Sequence, residues 1–179
     1  MFKKLYKSNG KKENVLTGAL GALFFSLLCT SLWLLLFRFA PRPLVGASTP
    51  IAFASIMCAL IGYKMLGNRL TLKGVIISTV ICVLMLVLIW HIGLAIELCK
   101  FVEKNYNKGT ISFKVSFYDA LGNPYYWFKV QANYAWRRIG DLVAGLFVCI
   151  SGGVIYGKDA RKSNRELEEY FDYMNNRYT

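Results

Sequence analysis

Along the chain, long apolar runs alternate with short polar, mostly basic connections. The longest run opens at Thr71-Leu72-Lys73-Gly74 and carries no charge from Gly74 to Trp90; its first ionisable group is His91. A transmembrane helix needs about 20 mostly apolar residues to cross about 30 Å of hydrocarbon. This run is apolar all round, so it does not read as a helix with one wet face. The pattern predicts four such helices, at about 15–38, 48–66, 72–100 and 139–157. The fold class expected is an all-α membrane protein with four transmembrane helices. Between helices 3 and 4 lies an aromatic interfacial loop, and a short C-terminal amphipathic helix follows. Three regions result: a basic N-terminal segment (1–14), a four-span membrane domain (15–157) and a cytoplasmic amphipathic tail (158–179).

Small residues recur inside the runs. Gly18, Ala22, Ser26 and Thr30 fall every fourth residue in the first. Ser48, Ala52, Ser55, Ala59 and Gly62 fall at steps of four and three in the second. Gly74, Ser78 and Cys82 mark the third, and Gly145, Cys149, Gly153 and Gly157 mark the fourth. Such rows let helix backbones approach closely in lipid. Helix-packing contacts are therefore expected at Gly18, Ala22, Ser55, Ala59, Gly62, Gly145 and Gly153. Close packing is a simpler use of these rows than a pore lining.

The ends of the runs carry recognisable signals. The first run exceeds the 7–15 residues of a signal-peptide core and ends without a small-residue cleavage site, so it reads as a span. Pro41 and Pro43 close it, and Pro50 suits the first turn of the second, capped by Ser48 or Thr49. The extracytoplasmic loop, about 103–137, is crowded with rings, including Phe113, Phe117, Tyr118, Tyr125, Tyr126, Trp127, Phe128, Tyr134 and Trp136. Amphipathic rings favour the headgroup layer. Ser112 could cap a short helix stopping at Gly122, and Asn123-Pro124 could start another. Alternation over Ile111, Phe113, Val115 and Phe117 keeps a strand as the competing reading. Past Gly157, Ser163 and Glu166 fit a capping box, and Leu167, Tyr170, Phe171 and Met174 form an apolar stripe.

Composition sharpens this picture. The 179 residues are 55% hydrophobic and only 18% charged, with mean hydropathy +0.38 and a net charge of +12. A basic excess could signal nucleic acid. Here the basic clusters flank apolar runs, where they set orientation, so no nucleic-acid partner is expected. Four spans bring Lys3, Lys4, Lys7, Lys11 and Lys12 to the same side as Lys64, Arg69, Lys73, Lys158, Arg161, Lys162, Arg165 and Arg177. The positive-inside rule then puts both termini in the cytoplasm. The five cysteines, Cys29, Cys58, Cys82, Cys99 and Cys149, lie in or at the ends of spans without any CxxC pair. They read as small buried residues rather than metal ligands or a disulfide framework. Cys99 is set apart by its place near a membrane surface.

Candidate chemistry gathers at one end. Arg38 closes span one, His91 and Glu97 lie at the exit of span three, and Arg137, Arg138 and Asp141 open span four. Ionisable residues in spans are costly and mark functional candidates. Asp141 is three and four residues from the two arginines, so a local ion pair is available. This outer polar cluster reads either as a site for an ion, a proton or an anionic headgroup, or as interface anchors with one structural pair. The stretch from Gly152 to Lys158 spells most of a P-loop, but Asp159 replaces the Ser or Thr and the strand-loop-helix context is missing. With one histidine and no GxSxG, no catalytic constellation is present, and no cofactor or metal is implied.

Several pieces carry a likeness: Gly62-Tyr63-Lys64 with Leu66-Gly67, Lys73-Gly74 opening a long span, Ala95-Ile96-Glu97, Ser116-Phe117-Tyr118-Asp119-Ala120, and Asp141-Leu142 with Gly145. Together they resemble small four-span membrane proteins of low-GC Gram-positive bacteria, a family with no assigned activity. The likeness covers most of the chain from span two onward. It implies a bacterial inner-membrane location and supplies no site residues. Two functional classes are consistent with this reading. One is a non-catalytic subunit or scaffold that self-associates or binds another membrane protein. The other is a small oligomeric channel or transporter with a polar site at the outer face.

Overall fold

A computed structural model of the chain describes residues 13–39, 48–109, 114–123 and 126–178. Five helices follow one another: α1 (Val15–Phe39), α2 (Ser48–Gly67), α3 (Leu72–Tyr106), α4 (Phe117–Gly122) and α5 (Tyr126–Tyr178). Among the described residues there is no strand. The competing strand reading falls partly on Ile111 and Phe113, which lie outside the described residues, as does Ser112. Four of the helices are long and apolar enough to cross a membrane, over Val15–Leu32, Thr49–Gly67, Leu72–Tyr106 and Ala135–Glu166. This is compatible with a multi-pass membrane protein. Inside hydrocarbon each backbone N–H and C=O must be satisfied within the segment, and a helix does that.

Caps set the starts. Asn14 accepts from the Thr17 amide at 3.3 Å and opens α1. Thr71 is extended and accepts from the Gly74 amide at 3.3 Å, opening α3. Ser116 caps α4 by accepting from the Asp119 amide at 3.2 Å. The tight α2–α3 connection passes through Asn68 in the left-handed region (φ +67°), a conformation Asn tolerates after a helix end. Gly109 (φ +70°) plays the same part beyond α3.

Helices α2 and α3 form the centre. Each packs against the other and against both α1 and α5, and α4 rests on α3. Small residues make the approach possible. Ala22, Ser26 and Thr30 of α1 and Ala52, Ser55 and Ala59 of α2 are fully buried. At the crossing of α1 and α2, a Cβ on Gly21 would run into the Gly62 carbonyl oxygen, and a Cβ on Gly62 into that of Gly21. On the other flank, a Cβ on Gly153 of α5 would collide with Thr79 of α3. Gly145 is buried as well. The outward faces are apolar: Leu16, Leu84 and Phe147 are 73%, 63% and 72% exposed. Such a belt on every long helix fits lipid and would be a severe liability in water.

The structure departs from the sequence pattern at α5. The pattern divides this region into a loop to 137, a span over 139–157 and a separate tail helix. One 53-residue helix covers all three. At 1.5 Å per residue it is about 80 Å long. Gly152, Gly153 and Gly157 each cost the helix about 1 kcal/mol relative to Ala, but no proline follows them. Packing holds the glycine segment, and the sequence after it is rich in helix-forming Lys, Arg and Glu. Ser163 consequently sits inside a helix rather than at the start of one. Upstream, α3 continues to Tyr106 and α5 starts at Tyr126, so most of the aromatic segment after Pro124 is helical.

Replacing Gly62 by Leu should therefore lower stability by more than the ~1–3 kcal/mol of ordinary overpacking, because a backbone carbonyl stands in the way. Gly140 meets nothing within 4 Å, so Gly140→Ala should be neutral or stabilising. Thermal unfolding of both purified variants in detergent checks the contrast.

Candidate functional site

Two polar constellations sit at opposite ends of the bundle. By helical rise, Glu97 lies about 38 Å beyond Leu72 along α3, past a 30 Å hydrocarbon layer. There α3 meets the first apolar turns of α5. Arg138 of α5 is 4% exposed and forks onto Glu97. Its Nε donates to Glu97 Oε2 at 3.1 Å and its Nη2 to Glu97 Oε1. The remaining Nη1 donates to Asp141 Oδ2 at 3.2 Å, one helical turn on. The backbone is tied in as well, since the Trp90 indole donates to the Arg138 carbonyl at 3.0 Å. A planar guanidinium suits such two-toothed pairing, and charge-assisted bonds of this kind are about twice as strong as neutral ones.

The other expected members of the cluster lie apart. His91 faces α4, where its Nε2 donates to the Leu121 carbonyl at 2.7 Å. A carbonyl accepts only, so the proton sits on Nε2. Arg137 is exposed and takes no part in the ion pairs among the described residues. The side chain of Arg38 lies outside the described part of the structure. Asp141 does pair locally, with Arg138 alone. Glu97 is the partner that spacing along the chain did not connect to Arg138, because it is 41 residues away. Cys99 is half-buried, with its Sγ 3.9 Å from the Val115 carbonyl.

The arrangement is suited to clamping. One buried cation is shared by two carboxylates, each 13% exposed. Both edges of the guanidinium are occupied, which leaves it no open face for an anion. Among the described residues no group of three His, Cys, Asp or Glu side chains could hold a metal ion.

The second constellation was not legible in the sequence. Tyr63 of α2 is fully buried, with its ring against Gly18 of α1 and Gly74 of α3. A Cβ on Gly18 would lie 2.8 Å from the ring, and one on Gly74 would collide with it. The Tyr63 hydroxyl donates to Glu13 Oε1 at 3.0 Å, and the Thr71 hydroxyl to the same oxygen at 2.8 Å. The Asn14 amide donates to the Gly67 carbonyl at 3.1 Å and the Thr17 hydroxyl to the Leu66 carbonyl at 2.9 Å. Arg69 Nη2 donates to Asn164 of α5 at 3.0 Å. These bonds collect the start of α1, the α2–α3 turn and the charged half of α5 at one end. A glycine on each neighbouring helix facing a lone aromatic was the available signal, but it needs the helix register to be read.

Arg138→Met should cost about 3–5 kcal/mol, because it strands two buried carboxylates. Asp141→Asn should cost clearly less, since the fork onto Glu97 survives. A double-mutant cycle of Arg138→Met with Glu97→Gln should give a coupling of about 1–3 kcal/mol in thermal or denaturant unfolding; additive effects would remove the clamp. Tyr63→Phe should cost about 1–3 kcal/mol by deleting a bond to a charged acceptor, read by the same melts.

Compared with known protein families, with characterised proteins and with solved structures, this chain matches none.

Proposed function

We propose that the chain is a non-catalytic membrane subunit or scaffold that presents α5 as a rigid arm to a protein partner, another membrane protein or a second copy of itself. The observation that carries this reading is the continuity of α5. A single helix runs through the bundle and on to Tyr178. The segment after Gly157 adds about 30 Å at helical rise. Its start packs on the bundle through Ala160 and Asn164, and the turns beyond extend past those contacts. Arg165 and Glu169 pair along it at 2.8 Å, and Tyr173 stays 59% exposed. Joined to a packed bundle without a break, the arm would hold a partner at a fixed distance from the membrane.

Two further features support the reading over a channel or transporter. The small-residue rows of α1 and α2 are occupied in packing within the chain, and Gly153 of α5 packs on Thr79, so these residues serve contact between helices. The buried charges at the far end are occupied in holding α3 to α5, and no helix is broken near the midplane, where transporters place their sites. Orientation follows from charge. The end that gathers Arg69, Lys73 and the basic turns of α5 is the cytoplasmic one by the positive-inside rule, with both termini there. A bacterial inner membrane is the location that the resemblance drawn from the sequence implies.

Native mass spectrometry of the full chain in nanodiscs tests the proposal. A chain that brings a stoichiometric partner protein, or a homodimer that conducts no ions, is the expected result. A closed homo-oligomer with no bound protein, followed by ion flux in liposomes, would overturn it in favour of a channel.

A further inference from the structure

The outer surface of the bundle carries an apolar groove of about 370 Å³ between α3 and α5. Its walls are Ile76 and Val80 on one side and Ile150 and Val154 on the other, all about half exposed. Gly157 leaves its floor open. Gly153 lies against Thr79, and a Cβ on Gly157 would come to ordinary contact, 3.4 Å, with Leu72. From Leu72 to Val80 the groove runs about 12 Å along the helix axis. One leaflet of hydrocarbon is about 15 Å deep.

The groove does not end in water. Lys158 and Arg161 close it, and the same two residues line a second cavity of about 660 Å³ with Lys162 and Arg165. Positions 150, 153, 154, 157, 158, 161, 162 and 165 follow steps of three and one, so they share one face of α5. That face is apolar or bare for two turns and cationic for the next two. Glu166 and Glu169 also line the second cavity, but Glu169 is paired with Arg165. Lys158, Arg161 and Lys162 are exposed and enter none of the ion pairs among the described residues. The change from apolar to cationic falls where α3 begins, at the level of Leu72.

We infer that this groove and its cationic mouth form a binding site for one anionic glycerophospholipid, with an acyl chain between α3 and α5 and the headgroup phosphate on Lys158 and Arg161. Charge complementarity selects this occupant. A zwitterionic lipid would fill the apolar part equally well but bring no net counter-charge to a cavity whose described lining holds four cations and two carboxylates. A soluble anion would use the cations and leave the groove empty. Basic pockets at the ends of spanning helices are suited to anionic headgroups. The site needs the chain to be in a bilayer and does not depend on a partner protein.

The test uses the full chain in nanodiscs of phosphatidylcholine doped with phosphatidylglycerol, released gently and weighed by native mass spectrometry. The wild type should retain one phosphatidylglycerol per chain in preference to phosphatidylcholine. Lys158→Gln with Arg161→Gln, both exposed, should fold normally and lose at least tenfold in that preference. Gly157→Leu should lower occupancy by filling the groove while keeping both cations. Arg137→Gln, an exposed cation at the opposite end, should change nothing. Retention by the double variant equal to wild type would overturn the inference, as would equal retention of the two lipids by the wild type. Displacement of the lipid by inorganic phosphate at millimolar concentration would overturn it too, because the site would then be one for a soluble anion.

Discussion

The ring of Tyr63 fits at the centre of three helices only because Gly18 and Gly74 offer it bare backbone. Less than one turn along, Gly21 and Gly62 bring α1 and α2 into backbone contact. In lipid there is little hydrophobic drive between helices, since acyl tails are as apolar as Leu; close van der Waals packing supplies the association. Glycine contacts of this kind set the spacing of α1, α2 and α3. That spacing fixes the rest: Glu13 can reach both the Tyr63 and Thr71 hydroxyls, the α2–α3 turn stays tight, and α3 is aligned to receive α5.

Helix α5 is held at two levels with different physics. Near the charged end it is held by contact, with Gly153 against Thr79 and Asn164 accepting from Arg69. At the other end it is held by charge, with Arg138 forked onto Glu97. Buried ion pairs contribute little net stability compared with an apolar replacement, yet are costly to break on one side. The pair therefore acts mainly on register: α5 cannot slide or turn along α3 without stranding a buried charge. A helix about 80 Å long needs such a fixed register if its outer half is to point in a defined direction. The proposed scaffold role and the proposed lipid site both depend on that direction.

Some of this was open to reading along the chain. Length and apolarity mark four spans, and the rows through Ala22, Ser26 and Thr30 and through Ala52, Ser55 and Ala59 mark faces that the structure buries. Gly21, which meets Gly62, fell outside the four-residue row that starts at Gly18. The polar cluster was assembled by closeness to one membrane boundary. Closeness to that boundary brings Glu97, Arg138 and Asp141 to one level but carries no information on which way each side chain turns, so it also groups His91 and Arg137, which the structure turns elsewhere.

The sequence by itself determined the count of long apolar helices, because the cost of exposing backbone and charge to hydrocarbon depends on the local run of residues. It likewise determined that one end is basic, because charge is a property of composition. Tertiary structure decided what those local costs leave open. Whether the helix stops at Gly157 depended on α3 packing against the glycine segment. Which glycines touch backbone, which carboxylate takes Arg138, and where a groove meets the cations of α5 all depend on helix rotation and pairing. Those are set by contacts between residues far apart in the chain, and an apolar surface alike on all sides carries little record of them.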